Sequence, residues 1–467
     1  MGEVAASRLE GTRGGRRRQR FVLSVTMLAA LVPAATRASE GPLVRGDLPR
    51  RADLGFGTTE ADGGLAVRRL DPAAPAAVAG LRDGDRIVAV GGTGANRPYV
   101  TADLLRRAVG GKPLALRVAR EGRDLDVRFT PPSQPLERLA GVETVYDVLA
   151  TPDGARLRTL LTRPAGASGP LPAIFVTQWV SCDTIEIPEE KNRDGAAQLL
   201  AALAQRSGMA TIRVERTASG DSDGPACHEL DYDTEVAHYR HAFEQLTRSP
   251  WVDPARVVVL GLSLGSTTAP LVAVGHRVAG VVVSGGGAET YFERMLTFDR
   301  LAFERGGTPP AEVHDKVLAH ARFLQRYLVD GEDPRAIAAA DPRLAGVWKE
   351  MRGTDDGAHY WRPYAWHRQA AARNFLAAWA AIDAPVLVLH AQHDQFEAEA
   401  GHRLIAEAVN RLRPGTATFL SIANLGHDFA VYPSAEAAMR WENGVTTAEL
   451  VIEPILQWLR ARGLAKP

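Results

Sequence analysis

Residues 257–265 read VVVLGLSLG, an apolar run that ends in a serine flanked by two glycines. The run 257–260 is typical of a buried strand, and the residues after Gly265 favour a helix. A reversal this tight between strand and helix crowds the backbone, so only glycines fit on both sides of Ser263. The serine then projects at the helix N-terminus, where backbone N–H groups stabilise negative charge. The stretch therefore predicts a strand–turn–helix unit that presents a nucleophilic serine; the alternative is a tight turn with an ordinary serine.

Apolar runs and helical stretches alternate over the rest of the C-terminal part of the chain. The runs that we expect to form strands lie at residues 173–176, 210–214, 257–260, 278–283, 386–389 and 418–420. Continuous apolar strands that alternate with helices indicate a mostly parallel sheet with helices on both faces, an α/β fold. The alternation breaks between about residues 288 and 381, where helical stretches rich in aromatic residues predict an inserted helical cap.

A serine hydroxyl is a weak nucleophile at neutral pH and needs a base. Asp394 comes just after the predicted strand 386–389, and His427 follows the predicted strand 418–420. Both therefore lie at carboxyl ends of strands, which is the edge where open α/β sheets place their sites. These positions predict that Ser263 attacks a carbonyl carbon, His427 transfers the proton, and Asp394 orients His427.

The chain order Ser263, Asp394, His427 is that of the catalytic triad in the α/β-hydrolase superfamily, which residues 140–467 resemble. Within it the likeness is to secreted esterases and to serine hydrolases of the acyl-peptide-hydrolase type. The resemblance implies cleavage of a carboxylic ester or related acyl bond in a small-molecule substrate, through a seryl acyl-enzyme and without a cofactor. It also implies an oxyanion hole, for which we expect the amides of Leu264 and Trp179; Gln178 stands where relatives usually have glycine.

Other polar residues near the predicted site are weaker candidates. Asp428 adjoins His427, but neighbouring side chains rarely face each other, and Asp383 precedes its strand and so lies at the wrong edge. His390 and His393 flank Asp394, yet no Glu–His helix pattern accompanies them. We therefore expect no metal site.

Residues 45–131 resemble a PDZ domain. The likeness is carried by Leu54, Gly55 and Phe56, and by residues 74–92, which read APAAVAGLRDGDRIVAVGG. The resemblance implies that the amides of these three residues receive a peptide C-terminus and that a strand edge accepts the peptide. Asp53 stands where glycine is commoner, and its charge disfavours a carboxylate. The alternative is a docking or lid module.

Inside this block, residues 101–110 are expected to form a helix with Thr101 as its N-cap. The stiff sequence PPSQP at residues 131–135 then marks a linker to the larger domain.

The N-terminus has the order of a secretory signal. A cationic run ending at Arg20 precedes the apolar residues 21–32, and small residues up to Ala38 follow. The apolar stretch is shorter than the roughly 20 residues that span a bilayer, and the alternative to a secretory signal is a short anchor at the membrane surface. We expect cleavage after Ala38, a periplasmic or extracellular protein, and no integral membrane segment in the mature chain.

Composition and charge exclude several classes of protein. Hydrophobic residues make up 45% of the 467 and charged residues 24%, which is ordinary for globular domains. Residues 1–38 hold seven arginines and two glutamates, so the remaining chain carries 48 basic and 53 acidic residues, a net charge of −5. A surface of that charge argues against a nucleic-acid partner.

Cys182 and Cys227 are the chain's two cysteines. In the usual hydrolase sheet they follow two neighbouring strands at the active-site edge, and export would place them in an oxidising compartment. The resemblance therefore implies a disulfide between them; two buried thiols are the alternative.

Three functions remain open. The first is an exported carboxylic ester hydrolase. The second is a serine peptidase or aminoacyl-peptidase that uses the PDZ-like domain to engage peptide ends. The third is a non-catalytic PDZ adaptor whose hydrolase fold is vestigial.

Overall fold

The computed structural model describes residues 42–61, 64–95, 97–354 and 357–466. The predicted signal sequence, residues 1–38, lies outside the described residues. Of the helices in the described ranges, none has the length and apolar character that crossing a bilayer requires. After a short first strand, β1 (Leu43–Val44), the chain builds a small sheet and then a large one.

The small sheet is antiparallel and corresponds to the PDZ-like block. Its strands are β2 (Gly57–Ala61), β3 (Gly64–Arg68), β4 (Arg86–Val90), β5 (Thr93–Gly94), β6 (Leu114–Arg120) and β7 (Arg123–Phe129). They are ordered β2-β3-β4-β6-β7, with β5 paired to β4. Leu65, Ile87 and Val118 are buried in its core. The sheet leaves β2 at an edge.

Two helices, α1 (Pro75–Val78) and α2 (Pro98–Arg106), accompany this sheet. The expectation of a helix over 101–110 with Thr101 as N-cap was wrong. The helix begins three residues earlier because Pro98 occupies its first turn, where a missing N–H has no cost. Thr101 is an interior residue whose hydroxyl donates to the Arg97 carbonyl at 2.9 Å.

The large sheet has nine strands in the order β1-β8-β9-β11-β10-β12-β13-β16-β17. Its further strands are β8 (Val142–Ala150), β9 (Arg156–Pro164), β10 (Leu171–Thr177), β11 (Ala210–Val214), β12 (Val252–Leu262), β13 (Gly280–Ser284), β16 (Val386–Ala391) and β17 (Ala417–Ile422). The strands from β11 to β17 are parallel, and β9 is antiparallel to both of its neighbours. The predicted α/β fold with a mostly parallel sheet is confirmed.

Helices cover both faces of this sheet. The helices after the small sheet are α3 (Gly195–Arg206), α4 (Tyr232–Leu246), α5 (Gly265–Ala273), α6 (Tyr291–Arg305), α7 (Pro310–Leu324), α8 (Pro334–Ala340), α9 (Pro342–Glu350), α10 (Tyr364–Ala371), α11 (Phe375–Ala380), α12 (Glu399–Leu412), α13 (Ala435–Met439) and α14 (Glu449–Arg460). Successive strand residues point to opposite faces. Ile174 thus joins the core under α3 and α14, whereas Phe175 joins the core under α4, α5 and α12.

Helices α6 to α11 lie in the interval between β13 and β16 that the sequence predicted as a cap. They surround a third core that is rich in aromatic residues, with Tyr327, Trp348 and Trp366 buried in it. A short hairpin, β14 (Ala358–His359) with β15 (Arg362–Pro363), belongs to the same interval. Another short pair, β18 (Ala430–Val431) with β19 (Val445–Thr446), follows β17.

The PDZ-like part packs on the hydrolase-like part through side chains. Asp221 is buried and accepts from the Arg50 guanidinium and from the Arg51 backbone N–H, both at 2.9 Å. Farther along, the Trp361 indole packs against the core of the small sheet and donates to Glu60 at 3.0 Å. By their contacts the described residues form one unit.

The predicted disulfide between Cys182 and Cys227 is confirmed. Its Cα atoms lie 6.0 Å apart, and both residues are buried. It joins the loop after β10 to the loop after β11, 45 residues farther along.

Removing this disulfide is expected to destabilise the protein by about 4 kcal/mol, because the cross-link restricts a long loop in the unfolded chain. Urea unfolding of the wild type and of the Cys182→Ser/Cys227→Ser double variant measures the difference. Adding reductant should lower the wild-type midpoint and leave that of the double variant unchanged. Equal midpoints for the two proteins without reductant would contradict the expectation.

Candidate active site

Ser263 sits in a strained turn between β12 and α5. Its φ is +54°, in the left-handed region that a residue with a side chain rarely adopts. Its backbone N–H donates to the Ser284 carbonyl on the adjacent strand at 2.8 Å. The turn is also tightly packed, since a Cβ on Gly265 would lie 2.1 Å from the Thr177 carbonyl oxygen and one on Gly261 would lie 2.5 Å from that of Gly265. The two glycines are therefore required by the close approach of the backbone, as the sequence predicted.

The structure brings together the three side chains that the sequence singled out. His427 Nε2 lies 2.8 Å from Ser263 Oγ, and His427 Nδ1 lies 2.8 Å from Asp394 Oδ2. Asp394 follows β16 and His427 follows β17, so both extend from the same edge of the sheet as the serine turn. The imidazole thus bridges a hydroxyl and a carboxylate in one line of hydrogen bonds.

The residues just after Asp394 hold this line in place. Asp394 Oδ1 accepts the backbone N–H groups of Phe396 and Glu397 at 2.8 and 2.9 Å, which leaves Oδ2 for His427. Gln395 accepts the backbone N–H of His427 at 2.8 Å. Sequence reasoning missed these three residues, although their position next to Asp394 was a signal.

The residues that the sequence analysis named as weaker candidates have other surroundings than the Ser263–His427–Asp394 line. The Asp428 carboxylate accepts from the Tyr432 hydroxyl at 2.8 Å and from the backbone N–H of Ala430. Asp383 is exposed before β16, and His390 contacts Ser421 at 3.1 Å. No group of three or more His, Cys, Asp or Glu side chains within the described ranges is arranged to hold a metal ion.

Burial and charge shape the titration of the site. Burial acts to raise the pKa of Asp394, but His427 and the backbone donors outweigh it and lower the pKa to about 2. Burial acts to lower the pKa of His427, but the Asp394 carboxylate outweighs it and raises the pKa above its ordinary value. Nearby, burial raises the pKa of Glu397 to about 7 despite its ion pair with Arg294.

Aromatic side chains flank the imidazole. Phe396 meets the His427 ring edge to face, with 4.8 Å between ring centroids. Phe298 from α6 and the exposed Trp441 lie 5.4 and 6.2 Å from Phe396. Tyr360 extends the group beyond Phe298, at 5.9 Å. Periodicity gave no sign of this group, because its members come from four distant parts of the chain.

The predicted oxyanion donors lie on two adjacent segments. Leu264 follows the serine, and Trp179 is in the loop after β10, whose Thr177 and Gln178 carbonyls pack against Gly265. The backbone N–H groups of Leu264 and Trp179 have no hydrogen-bond acceptor among the residues that the structure describes. The Trp179 carbonyl, by contrast, accepts from the Arg216 guanidinium.

The predicted carboxylate loop of the PDZ-like part has internal contacts. The Gly55 N–H donates to the Asp53 carboxylate at 3.1 Å, and the Gly55 carbonyl accepts from Asp71 at 2.8 Å. Leu54 and Phe56 pack against the small core. One of the three expected amides therefore already has an anionic partner within the chain.

The sequence matches two family models and is similar to two curated proteins. A family model described as "Alpha/beta hydrolase family" matches residues 191–440, and one described as "PDZ domain" matches residues 52–130. Polyketide transferase ATR5 of Stachybotrys chlorohalonatus is 29% identical over 169 residues, which are 34% of this chain and 52% of that protein. Polyketide transferase claH of Penicillium crustosum is 31% identical over 136 residues, which are 29% of this chain and 42% of that protein. The chain thus spans about half the length of these curated relatives.

Solved structures that resemble this chain include Est1E and an esterase. The Est1E structure from Butyrivibrio proteoclasticus is 13% identical and covers 68% of this chain and 98% of its own, with a TM-score of 0.41. The Pyrococcus furiosus esterase Pf2001 is 12% identical and covers 70% of this chain and 96% of its own, with a TM-score of 0.42.

The raised pKa of His427 gives a test that does not depend on any activity. We expect NMR titration of the His427 ring, assigned with a His427→Gln variant, to give a pKa above the ordinary value of about 6.5. In Asp394→Asn the carboxylate is gone while burial remains, so the pKa should fall below that value. Asp428→Asn, which changes the neighbouring carboxylate, should leave the pKa unchanged; an equal shift in both variants would disprove the assignment of Asp394.

Proposed function

Because the chain belongs to the alpha/beta hydrolase family, we propose that it is a serine hydrolase that cleaves a carboxylic ester or a related acyl bond through a seryl acyl-enzyme. One observation carries the proposal. A single imidazole, His427, lies 2.8 Å from the Ser263 hydroxyl and 2.8 Å from the Asp394 carboxylate. This arrangement makes a hydroxyl nucleophilic at neutral pH.

The proposed reaction has two steps. In the first, His427 accepts the Ser263 proton while Oγ bonds to the carbonyl carbon, and the imidazolium then protonates the departing alcohol. In the second, the oxygen of a water molecule bonds to the acyl carbon while His427 accepts a proton from that water. The imidazolium then returns the proton to Ser263 Oγ as the bond from Oγ to the acyl carbon breaks and the free acid departs. Only neutral His427 accepts a proton, so hydrolysis should rise with pH through its raised pKa.

Negative charge on the carbonyl oxygen needs donors in both steps. We assign this role to the N–H groups of Leu264 and Trp179, on the adjacent segments that hold the serine turn. The N-terminus of α5 adds to the same field. Removing one such donor typically lowers the rate by about 100- to 1,000-fold.

The substrate class follows from the side chains around His427. Phe396, Phe298 and Trp441 present apolar rings beside the imidazole. Rings in this position favour an ester with an apolar acyl or alcohol part.

Location and domain organisation are part of the proposal. The disulfide and the predicted signal sequence support export of a protein with domains at residues 45–131 and 140–467 and a cap at about 288–381. A peptide C-terminus remains a candidate ligand for the small domain at Leu54, Gly55 and Phe56.

The nucleophile is tested by Ser263→Ala in the purified mature protein. We expect hydrolysis of a short-chain aryl ester to fall by at least about 10⁴-fold and reaction with a fluorophosphonate probe to stop, because the attacking oxygen is gone. Ser421→Ala, which changes an exposed serine on β17, should leave both reactions intact. A wild-type protein that fails to react with the probe would favour the adaptor function, and cleavage of peptides in preference to esters would favour the peptidase.

A second candidate is transfer of the acyl group to an acceptor other than water, for which we take an alcohol; the two curated relatives are named polyketide transferases, which favours transfer. The acyl-enzyme is the same, and only the acceptor differs. If water is the acceptor, turnover of the aryl ester with added butanol should yield mainly the free acid, as measured by chromatography. A butyl ester in excess over the acid would show that transfer prevails.

A further inference from the structure

We propose that Arg216 is a positioning residue for the oxyanion loop, residues 177–181, and that Glu235 and Arg362 hold Arg216 in place. The proposal rests on the function proposed above and extends it to three residues outside the triad.

Arg216 holds the oxyanion loop directly. It lies just after β11, is 4% exposed, and donates through one guanidinium nitrogen to the Trp179 carbonyl and through another to the Ser181 carbonyl. These two carbonyls stand on either side of Val180, so the guanidinium fixes the direction of the backbone there. The Trp179 N–H belongs to the peptide plane next to that of the Trp179 carbonyl. Its orientation therefore depends on the two hydrogen bonds from Arg216.

Glu235 in turn fixes Arg216. Its Oε1 accepts from Arg216 Nε at 2.8 Å, while its Oε2 accepts from Arg362 and from the Trp366 indole, the latter at 3.1 Å. All three charged residues are at most 4% exposed. Burial acts to raise the pKa of Glu235, but the two guanidinium groups outweigh it and lower the pKa, so the carboxylate is ionised at neutral pH.

The cluster formed by Arg216, Glu235 and Arg362 carries a net positive charge next to the oxyanion loop. Burial lowers the pKa of Arg362 to about 10, which still leaves it charged at neutral pH. Two cations then share one anion in a buried site, where charge interactions are screened weakly. Both the geometry and the field of the cluster favour negative charge at the loop.

Arg362 connects the cluster to two other parts of the chain. It donates to the Cys227 carbonyl at 3.0 Å, and the disulfide from Cys227 ends at Cys182, next to Ser181. The residue before it, Trp361, packs on the small sheet. The position of Arg362 is therefore fixed from both sides.

Arg216→Lys tests the proposal, because lysine keeps the charge but cannot reach two carbonyls and a carboxylate at once. We expect kcat for the aryl ester to fall by about 10- to 100-fold with little change in KM. This loss is smaller than the loss caused by removing a whole oxyanion donor, because the Trp179 N–H is displaced and not removed. The ratio of rates on the ester and on its thionoester, whose sulfur fits an oxyanion hole poorly, should fall as well. Each rate is divided by the concentration of active sites, which is measured by titration with the fluorophosphonate.

Arg213→Lys is the matched control. Arg213 lies on β11, three residues before Arg216, and is as deeply buried. It forms its ion pair with Glu137 and donates to the Ile185 carbonyl, which lies outside residues 177–181. A purely structural role for Arg216 predicts that both variants lose stability while kcat per titrated site and the rate ratio stay at wild-type values. That result would overturn the proposal.

Arg362→Lys is measured in parallel, in case Arg216→Lys does not fold. Because Arg362 contacts Glu235 and the Cys227 carbonyl but not the loop itself, this variant should lower kcat and the rate ratio in the same direction by a smaller factor. Wild-type values for both would overturn the role of Glu235 and Arg362. A wild type inactive on the ester and the probe would disprove the proposed function itself, whereas an active wild type with an unaffected Arg216→Lys disproves only this inference.

Discussion

The site depends on the close approach of four backbone segments at one edge of the large sheet. They are the serine turn, the loop after β10, and the loops after β16 and β17. α5 begins so near the end of β10 that Gly265 has no room for a side chain beside the Thr177 carbonyl. Because β10 and β12 are neighbours, this contact sets the serine turn and the oxyanion loop side by side. β16 and β17 run parallel to β12 and end at the same edge, so His427 contacts Ser263 and Asp394 contacts His427 from the loops that follow these strands. Parallel pairing thus brings Ser263 and His427, which are 164 positions apart, to the same edge of the sheet.

Charged side chains are buried at this edge of the sheet, and removing them from water costs free energy. Each ionised group that leaves water must be compensated within the protein. Asp394 receives two backbone N–H groups and the His427 imidazole, and Glu235 receives two guanidinium groups and an indole. The first arrangement places a carboxylate against the His427 imidazole, and the second places two guanidinium groups on a carboxylate next to residues 177–181. Loss of a single partner in either group leaves a buried charge with less compensation, so we expect substitutions in both groups to be costly.

The parts of the site that the sequence predicted are those with local signals. Ser263 is marked by its glycines, and Asp394 and His427 by their positions just after apolar runs, all of which depend on residues nearby in the chain. The disulfide was implied by the resemblance to the α/β-hydrolase superfamily, in whose sheet the two preceding strands are neighbours. Arg216, Glu235 and Arg362 had no such signal, because an arginine after a strand, a glutamate in a helix and an arginine in a cap hairpin become partners only in three dimensions. The start of α2 shows the same limit locally, since Pro98 outweighed the capping tendency of Thr101.

The small domain shows how an interaction module can become part of an enzyme scaffold. Its Gly55 amide binds Asp53 of the same chain, while the outer edge of β2 has no strand partner among the described residues. Contact with the rest of the protein is made instead by side chains, through Arg50 and Arg51 on Asp221 and through Glu60 on Trp361. Trp361 directly precedes Arg362, so the residue that packs on the small sheet is covalently next to the one that supports Glu235. Glu235 in turn holds Arg216, which donates to the carbonyls of Trp179 and Ser181, so a continuous series of contacts links the small domain to residues 177–181.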